Sequence, residues 1–168
     1  MLRNQIKFLL FSCLLGVVVS CDNATIYSET KAIEGTWNRN DTIQFHVQSP
    51  DTINPYNIFI NLRNNEDYAY SNLYMIVEME YPDGNVVSDT LQYEMAKPNG
   101  EFLGEGFTGL KENKLWYKGM NDGFVFPKSG DYTIDILQAM RKNGSVKGII
   151  ALDGVTDVGI SIEKIAKE

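Results

Sequence analysis

DTIQFHVQ, residues 41–48, is the stretch that decides the fold class, because its apolar side chains recur at every second position. Ile43, Phe45 and Val47 alternate with polar side chains, among them that of His46. A two-residue period is typical of a β-strand with one buried face and one solvated face. The stretch therefore predicts a strand whose His46 points away from the core.

The same period recurs along most of the remaining chain. Apolar side chains alternate around residues 58–62, 75–81, 86–95, 132–140 and 158–162. Shorter apolar pieces at 115–117 and 124–126 predict short strands. Pro82 to Asn85 supplies the proline and glycine of a hairpin turn. No segment has the spacing of an amphipathic helix. About seven to nine strands without crossover helices predict an all-β protein, an antiparallel β-sandwich. We expect Ile60, Val77, Ile134 and Ile160 to be buried in it.

The N-terminus reads as an export signal and not as part of the fold. Arg3 and Lys7 precede an apolar run of twelve residues, Phe8 to Val19. A membrane-spanning helix needs about 20 apolar residues, so this run fits the apolar region of a signal peptide. It ends in Val18-Val19-Ser20-Cys21, which resembles the lipobox of bacterial lipoproteins. The alternative is a chance cysteine after an ordinary secretory signal.

The lipobox divides the chain into three parts. We expect residues 1–20 to be a cleaved lipoprotein signal peptide and Cys21 to carry lipid. Residues 21–36 are mostly polar and predict a tether, in which a first strand is left open. Residues 37–168 are expected to form the sandwich domain.

Composition excludes several classes of function. The 168 residues contain 22 acidic and 15 basic side chains, a formal charge of −7, so the protein repels phosphate and we expect no nucleic-acid partner. There is one histidine, and Cys13 and Cys21 are the only cysteines. We therefore expect no metal site, no cofactor and no catalytic residues.

Two sequence patterns that match catalytic or nucleotide-binding motifs can also be explained by turns and strand surfaces. Gly104 to Gly109 spells G-x-G-x-x-G, but no strand–helix–strand unit surrounds it, so we expect turns. The pairs Glu78 with Glu80 and Asp135 with Asp153 could serve a glycosidase, or could simply be solvated residues on strand surfaces.

The aromatic side chains leave two interpretations open. Trp37, Trp116 and Tyr117 could form a platform on which sugar rings stack, or could be core residues. Buried rings would favour a non-catalytic scaffold, and exposed coplanar rings would favour carbohydrate binding.

Three Asp-Thr-aliphatic tripeptides place threonine at Thr42, Thr52 and Thr90. The spelling resembles the O-glycosylation acceptor of exported proteins in the Bacteroidetes. The tripeptide is equally typical of the start of a β-strand, where aspartate lies in the preceding turn and a β-branched residue begins the strand.

Several longer stretches stand out beside the lipobox: YNIFINLRN (56–64), YSNLY (70–74), KLWYK (114–118), AMR (139–141) and LDGVTDVGISIE (152–163). Together with the lipobox they resemble the gliding-motility lipoprotein family GldH of the Bacteroidetes. The resemblance covers roughly Trp37 to Glu163. It implies a non-catalytic envelope lipoprotein of the gliding and associated secretion machinery, in contact with the membrane through Cys21 and with other envelope proteins of that machinery.

The alternative function is that of a carbohydrate-binding lipoprotein in a glycan-uptake system.

The location of the domain helps to distinguish the two functions. Surface lipoproteins of this phylum carry a short acidic signal after the lipidated cysteine, and here only Asp22 follows Cys21 closely. We therefore expect the periplasmic face of the outer membrane.

Overall fold

The computed structural model describes residues 24–106 and 108–165, so the expected signal peptide and Cys21 lie outside the described residues. Ten β-strands and no helix occur in these two ranges. The strands are β1 (Thr25–Ala32), β2 (Thr36–Asn38), β3 (Ile43–Gln48), β4 (Tyr56–Asn64), β5 (Asn72–Glu80), β6 (Val86–Glu94), β7 (Lys111–Lys118), β8 (Asp131–Gln138), β9 (Ala151–Asp153) and β10 (Val155–Lys164). The all-β prediction is confirmed.

The strands form two four-stranded sheets and one short pair. The first sheet has the order β1-β10-β4-β7, the second has the order β3-β8-β5-β6, and β2 pairs with β9. Every pairing is antiparallel. The two large sheets pack face to face, which is the predicted sandwich.

The core lies between the two inner faces and uses the alternation seen in the sequence. Ile60, Val77, Ile134 and Ile160 all have 0% of their surface exposed, as predicted. His46 is exposed on β3, also as predicted. The side chains of one face of each strand therefore supply the core, because successive residues of a strand point to opposite sides.

β1 occupies much of the segment that was expected to be a tether. Tyr27 and Lys31 of β1 face β3, where the Tyr27 hydroxyl donates to the His46 carbonyl at 3.2 Å and the Lys31 Nζ donates to the Gln44 carbonyl at 2.5 Å. These polar side chains bond to backbone oxygens across the edge of the sandwich. A strand held in this way needs little apolar alternation, which is why the polar composition of residues 25–32 pointed to a tether.

The opposite edge of the sandwich is closed in a similar way. The Tyr93 hydroxyl of β6 donates to the Trp116 carbonyl of β7 at 2.5 Å, and Lys118 Nζ lies 2.7 Å from Asp89 Oδ2. Both edges are thus bridged by side chains. Such bridges limit the addition of a foreign strand to the exposed edges.

The apolar piece at 124–126 does not form the expected short strand. Phe124 makes only an isolated bridge with Tyr56, and Phe126 is fully buried, with its ring centroid 5.1 Å from that of Tyr132. Phe124 and Phe126 close one end of the core from within a loop, whereas Val125 is exposed, so the prediction of a strand at 124–126 is wrong.

The two ends of the sandwich carry different loops. The proximal end is where β1 begins and β10 ends, and it also carries loops 49–55, 81–85 and 119–130. The distal end carries loops 33–42, 65–71, 95–110 and 139–150, with the β2–β9 pair.

Candidate functional site

The three aromatic residues predicted as a ligand platform lie in three different environments. Trp37 is 1% exposed at the distal end, and its Nε1 donates to the Asp41 carbonyl at 3.0 Å. Tyr117 is 8% exposed and faces the core, where burial raises the pKa of its hydroxyl well above the usual range. Trp116 lies on the outer face of the first sheet. The structure does not bring these rings together into one surface.

Trp116 packs against Phe59 of the neighbouring strand β4. The ring centroids are 4.7 Å apart with an interplanar angle of 64°, and Lys114 Nζ lies 4.3 Å from the Phe59 ring centroid. Trp116 is half-buried, and Phe59 is 6% exposed. An edge-to-face pair of this kind presents no flat stacking surface.

The outer face of the first sheet nevertheless has two unpaired polar atoms. Trp116 Nε1 and Asn57 Oδ1 are buried without a hydrogen-bond partner among the described residues. An unpaired buried donor or acceptor costs about 1–3 kcal/mol.

Charged side chains surround a shallow cavity of about 660 Å³ on this face. Arg63 forms ion pairs with Glu112 at 2.7 Å and with Asp157 at 3.5 Å, and Lys114 pairs with Glu163 at 2.6 Å. Hydrogen bonding to Glu112 is the main cause that raises the pKa of Arg63. The charges on this face are therefore largely engaged with one another.

A second cavity, which the sequence did not indicate, lies on the outer face of the second sheet near the distal end. It measures about 1300 Å³, and its lining includes Tyr70, Tyr74, Lys97, Arg141 and Lys142. We call these five residues the basic–aromatic groove. Lys97 pairs with Glu101 at 3.0 Å and Glu94 also lines the cavity, so the three cations leave a small local excess of positive charge in a protein of net charge −7. The only sequence signal was that Tyr70, Tyr74 and Arg141 fall in stretches that resemble the lipoprotein family.

The two candidate acid pairs are placed differently in the structure. Glu78 and Glu80 are exposed on the same face of β5, and Glu78 lies opposite Asp135 of β8. Asp135 accepts a hydrogen bond from Gln44 on the second sheet at 2.9 Å, whereas Asp153 accepts one from Thr36 in the β2–β9 pair at 2.7 Å. Among residues 24–106 and 108–165, no three metal-ligating acids, histidines or cysteines are grouped so that they could hold a metal ion.

The glycine motif lies in the loop before β7 and precedes no helix. Glu105 bridges to Glu112 through backbone hydrogen bonds of 2.9 and 2.7 Å, and Gly106 and Gly109 have positive φ angles of 147° and 78°. A side chain at Gly106 would meet the Leu110 carbonyl oxygen at 2.3 Å. Local geometry therefore accounts for these glycines, without a nucleotide.

The three candidate glycosylation threonines are all exposed. Thr42 lies at the distal end, Thr90 on the outer face of β6, and Thr52 in a turn at the proximal end. In the tripeptide of Thr90 the aspartate is turned inward, because Asp89 pairs with Lys118.

The proximal end contains the first residue that the structure describes. The backbone N–H of Lys164 donates to the Ala24 carbonyl at 2.8 Å, which holds the start of the described chain beside the end of β10. Nearby, Asp51 accepts hydrogen bonds from the backbone N–H groups of Ile53 and Asn54 and from the Tyr56 hydroxyl. These bonds hold the pKa of Asp51 well below its usual range. No helix in the described part of the chain is long and apolar enough to span a membrane.

Known proteins with similar sequences belong to one family. A family model described as GldH lipoprotein matches residues 25–162. A gliding motility lipoprotein GldH homolog from Christiangramia forsetii is 46% identical over 163 residues, which cover 97% of this chain and 98% of the relative. The gliding motility lipoprotein GldH of Flavobacterium johnsoniae is 39% identical over the same length and the same shares of both chains.

Solved structures overlap the fold more loosely. A carbohydrate-binding module specific for non-crystalline cellulose, CBM28, has a TM-score of 0.44 at 10% identity, over 83% of this chain and 73% of that module. A TM-score below 0.5 supports no statement about ligand or function. The full-length similarity to the two lipoproteins and the family match over residues 25–162 show that this chain belongs to the GldH lipoprotein family.

Proposed function

We propose that the protein is a non-catalytic lipoprotein of the gliding-motility and associated secretion machinery, which acts as an assembly or scaffold component through protein–protein contacts. The family match over residues 25–162 carries this proposal. Membership in a lipoprotein family implies a lipid-anchored protein of the cell envelope, and the two relatives bear no enzymatic name. Asp135 and Asp153 lie in different sheets, and their carboxylates accept hydrogen bonds from Gln44 and Thr36, which further supports a non-catalytic role.

Lipid attachment at Cys21 is the first part of the proposal. Only a cysteine thiol can form the thioether that a diacylglyceryl group requires, and the small Ser20 precedes it. We expect Cys21→Ala to abolish incorporation of radiolabelled palmitate and to release the protein from the membrane fraction. Equal palmitate labelling of wild type and variant would contradict attachment at this residue.

The basic–aromatic groove is the proposed contact surface for a protein partner. Tyrosine and arginine are among the residue types that dominate the energy of protein interfaces, and the local excess of positive charge attracts an acidic partner surface. The test is a photo-crosslinking amino acid at Lys142, with the same substitution at Glu80 on the same sheet as the control. We expect Lys142 to crosslink an envelope protein and Glu80 not to do so. Identical crosslinking patterns at both positions would contradict the assignment of this surface.

Carbohydrate binding is the second candidate, favoured by the unpaired Trp116 Nε1 and Asn57 Oδ1 on one sheet face. The burial of Trp37 and Tyr117 counts against a stacking platform. Calorimetry with soluble oligosaccharides decides between the two functions. Trp116→Phe keeps an aromatic ring but removes the N–H. If the wild type binds an oligosaccharide and this variant does not, glycan binding replaces the scaffold role as the proposed function.

We place the domain on the periplasmic face of the outer membrane, since a single acid, Asp22, follows Cys21 closely. Protease added to intact cells should then leave the protein uncut until the outer membrane is permeabilised. Rapid cleavage on intact cells would move the domain to the cell surface.

O-glycosylation at Thr42, Thr52 and Thr90 is a separate proposal that rests on their Asp-Thr-aliphatic spelling and their exposure. Each site is tested by the mass of its peptide in the wild type and in a Thr→Val variant. An unmodified mass for all three wild-type peptides would leave the start of a β-strand as the explanation.

A further inference from the structure

We infer that the proximal end of the sandwich rests on the bilayer that holds the lipid of Cys21, so that the distal end points away from the membrane. The inference rests on the proposed lipidation of Cys21. It concerns which surface of the folded domain meets lipid.

The length of the chain between the lipid and the fold is the first argument. Cys21 is three residues before Ala24, whose carbonyl is hydrogen-bonded to the end of β10. Three extended residues span about 10 Å. β4 alone has nine residues and is about 30 Å long, so the distal end is separated from the lipid by the full length of the domain.

Exposed apolar side chains among the charged residues of the proximal loops are the second argument. Ile53 is 81% exposed, Met120 is 62% exposed and Val125 is 43% exposed, and all three lie in loops at this end. A side chain added at Gly123 would meet Pro55 and Ile165 at about 2.5 Å, which places loop 119–126 directly beside the turn that carries Ile53. Between the strand ends lies an apolar groove of about 540 Å³, lined in part by Ile26, Pro50 and Ile165.

The turn that carries Ile53 also suits an interfacial position. The Asp51 carboxylate accepts hydrogen bonds from the backbone of Ile53 and Asn54, from the Asn54 side chain and from the Tyr56 hydroxyl. Its charge is thus engaged within the turn, and the tip presents an isoleucine. Lys164 is exposed at the same end and can reach the headgroup layer while its aliphatic stem lies on apolar surface.

Exposure of apolar residues alone would not select this end. The distal end exposes Leu103, Leu110, Val146 and Ile150. Those side chains cannot meet the same bilayer while three residues connect Ala24 to Cys21, unless the domain lies on its side. In that orientation the β1 edge would touch lipid, so a position on β1 separates the two arrangements.

The test uses the lipidated protein in phosphatidylethanolamine–phosphatidylglycerol vesicles, with one spin-labelled cysteine at a time. Lipid consumes the thiol of Cys21, and Cys13 lies in the signal peptide, so the introduced cysteine is the only free thiol. Ile53→Cys and Met120→Cys report on the proximal end. Val146→Cys, which is comparably exposed at 88%, reports on the distal end, and Thr30→Cys reports on the β1 edge.

We expect labels at 53 and 120 to collide several-fold less often with a water-soluble nickel chelate, and more often with oxygen, than the label at 146. The same labels in the unlipidated Cys21→Ser protein should collide with the chelate equally at all three positions. Equal aqueous accessibility at 53, 120 and 146 in the lipidated protein, or shielding only at 30, would overturn the inference.

Failure of lipidation is recognised separately. If the wild-type Cys21 peptide has no lipid mass and the protein does not sediment with vesicles, the proposed anchor is wrong and the inference falls with it. If the protein sediments but the labels at 53 and 120 remain aqueous, the anchor stands and the orientation is wrong. Contact at this end and the proposed glycan on Thr52 exclude each other, because a glycan there would stand between the proximal end and the lipid. A glycan found on wild-type Thr52 would therefore overturn the inference.

Discussion

Gly154 is the position at which a single added methyl group should damage the fold most clearly. It forms the turn between β9 and β10 with a φ of +84°. A Cβ there would lie 2.1 Å from the Tyr68 backbone nitrogen, 2.5 Å from the Tyr68 Cα and 2.6 Å from the Asp67 carbonyl carbon. All three atoms belong to the backbone of the neighbouring distal loop, so no flexible side chain can move aside.

Gly84 provides a matched control for the magnitude. Its φ is +80°, and a Cβ there would meet nothing within 4 Å. An alanine at either glycine must adopt a left-handed conformation, which costs about 1–2 kcal/mol. Gly154→Ala must in addition displace the loop at Tyr68, and overpacking of this kind costs about 1–3 kcal/mol or more. The difference between the two variants therefore isolates the steric contribution.

The assay is urea and thermal unfolding of a soluble form that lacks residues 1–20 and carries Cys21→Ser. At about 2–4 °C per kcal/mol for a domain of this size, Gly154→Ala should unfold about 2–12 °C below Gly84→Ala. Equal midpoints for the two alanine variants would refute the close approach of Gly154 to Tyr68. They would also mean that the distal loop is not packed against this turn.

Three further predictions concern the core and the sheet edges. Ile60→Ala should lower the free energy of unfolding in urea by about 2–5 kcal/mol because Ile60 is fully buried. Gln92→Ala, at an exposed position, should change it little. Equal effects of the two substitutions would mean that the strand faces are misassigned. Asn113→Ala should lower the free energy of unfolding by about 1–3 kcal/mol in the same assay, because the buried Asn64 Oδ1 loses the Asn113 amide that donates to it at 2.9 Å. An unchanged midpoint would show that this hydrogen bond does not stabilise the fold. Burial raises the pKa of Tyr93 to about 12. The stability that the neutral Tyr93 hydroxyl contributes is therefore complete below pH 10 and is lost as the pH rises through 12. Tyr93→Phe should therefore show a shallower loss of stability between about pH 10 and 12, and an unchanged alkaline slope would contradict the burial of the hydroxyl.

Alternation of apolar and polar residues was enough to predict the sandwich and much of its core. In 41–48 and 75–81 the period of two determines which side chains face inward, because successive side chains of a strand point to opposite faces and the apolar set therefore occupies one face. Ile60, Val77, Ile134 and Ile160 were identified from this period alone. The lipobox can likewise be recognised without a fold, since Ser20-Cys21 is a linear motif.

Pairing between distant strands depended on the tertiary structure. The polar β1 pairs with β10, and Thr25 lies opposite Glu163 across most of the chain. No apolar–polar period in residues 25–32 predicts this pairing, because β1 is held by backbone hydrogen bonds and by the hydrogen bonds of Tyr27 and Lys31 to β3. Hydrogen bonds between backbones are the same for every residue type, so the sequence does not record their partners.

The candidate surfaces divide in the same way. The sequence by itself determined the strand faces and the family, and it predicts Cys21 as the attachment point of the lipid. Only the tertiary structure decided that Trp37 and Tyr117 are buried, that Asp89 turns inward to Lys118, and that Tyr70, Lys97 and Arg141 line one groove. The physical reason is that a face of a strand is a local property, whereas a groove or an end of the sandwich joins residues that come together only when the sheets pack.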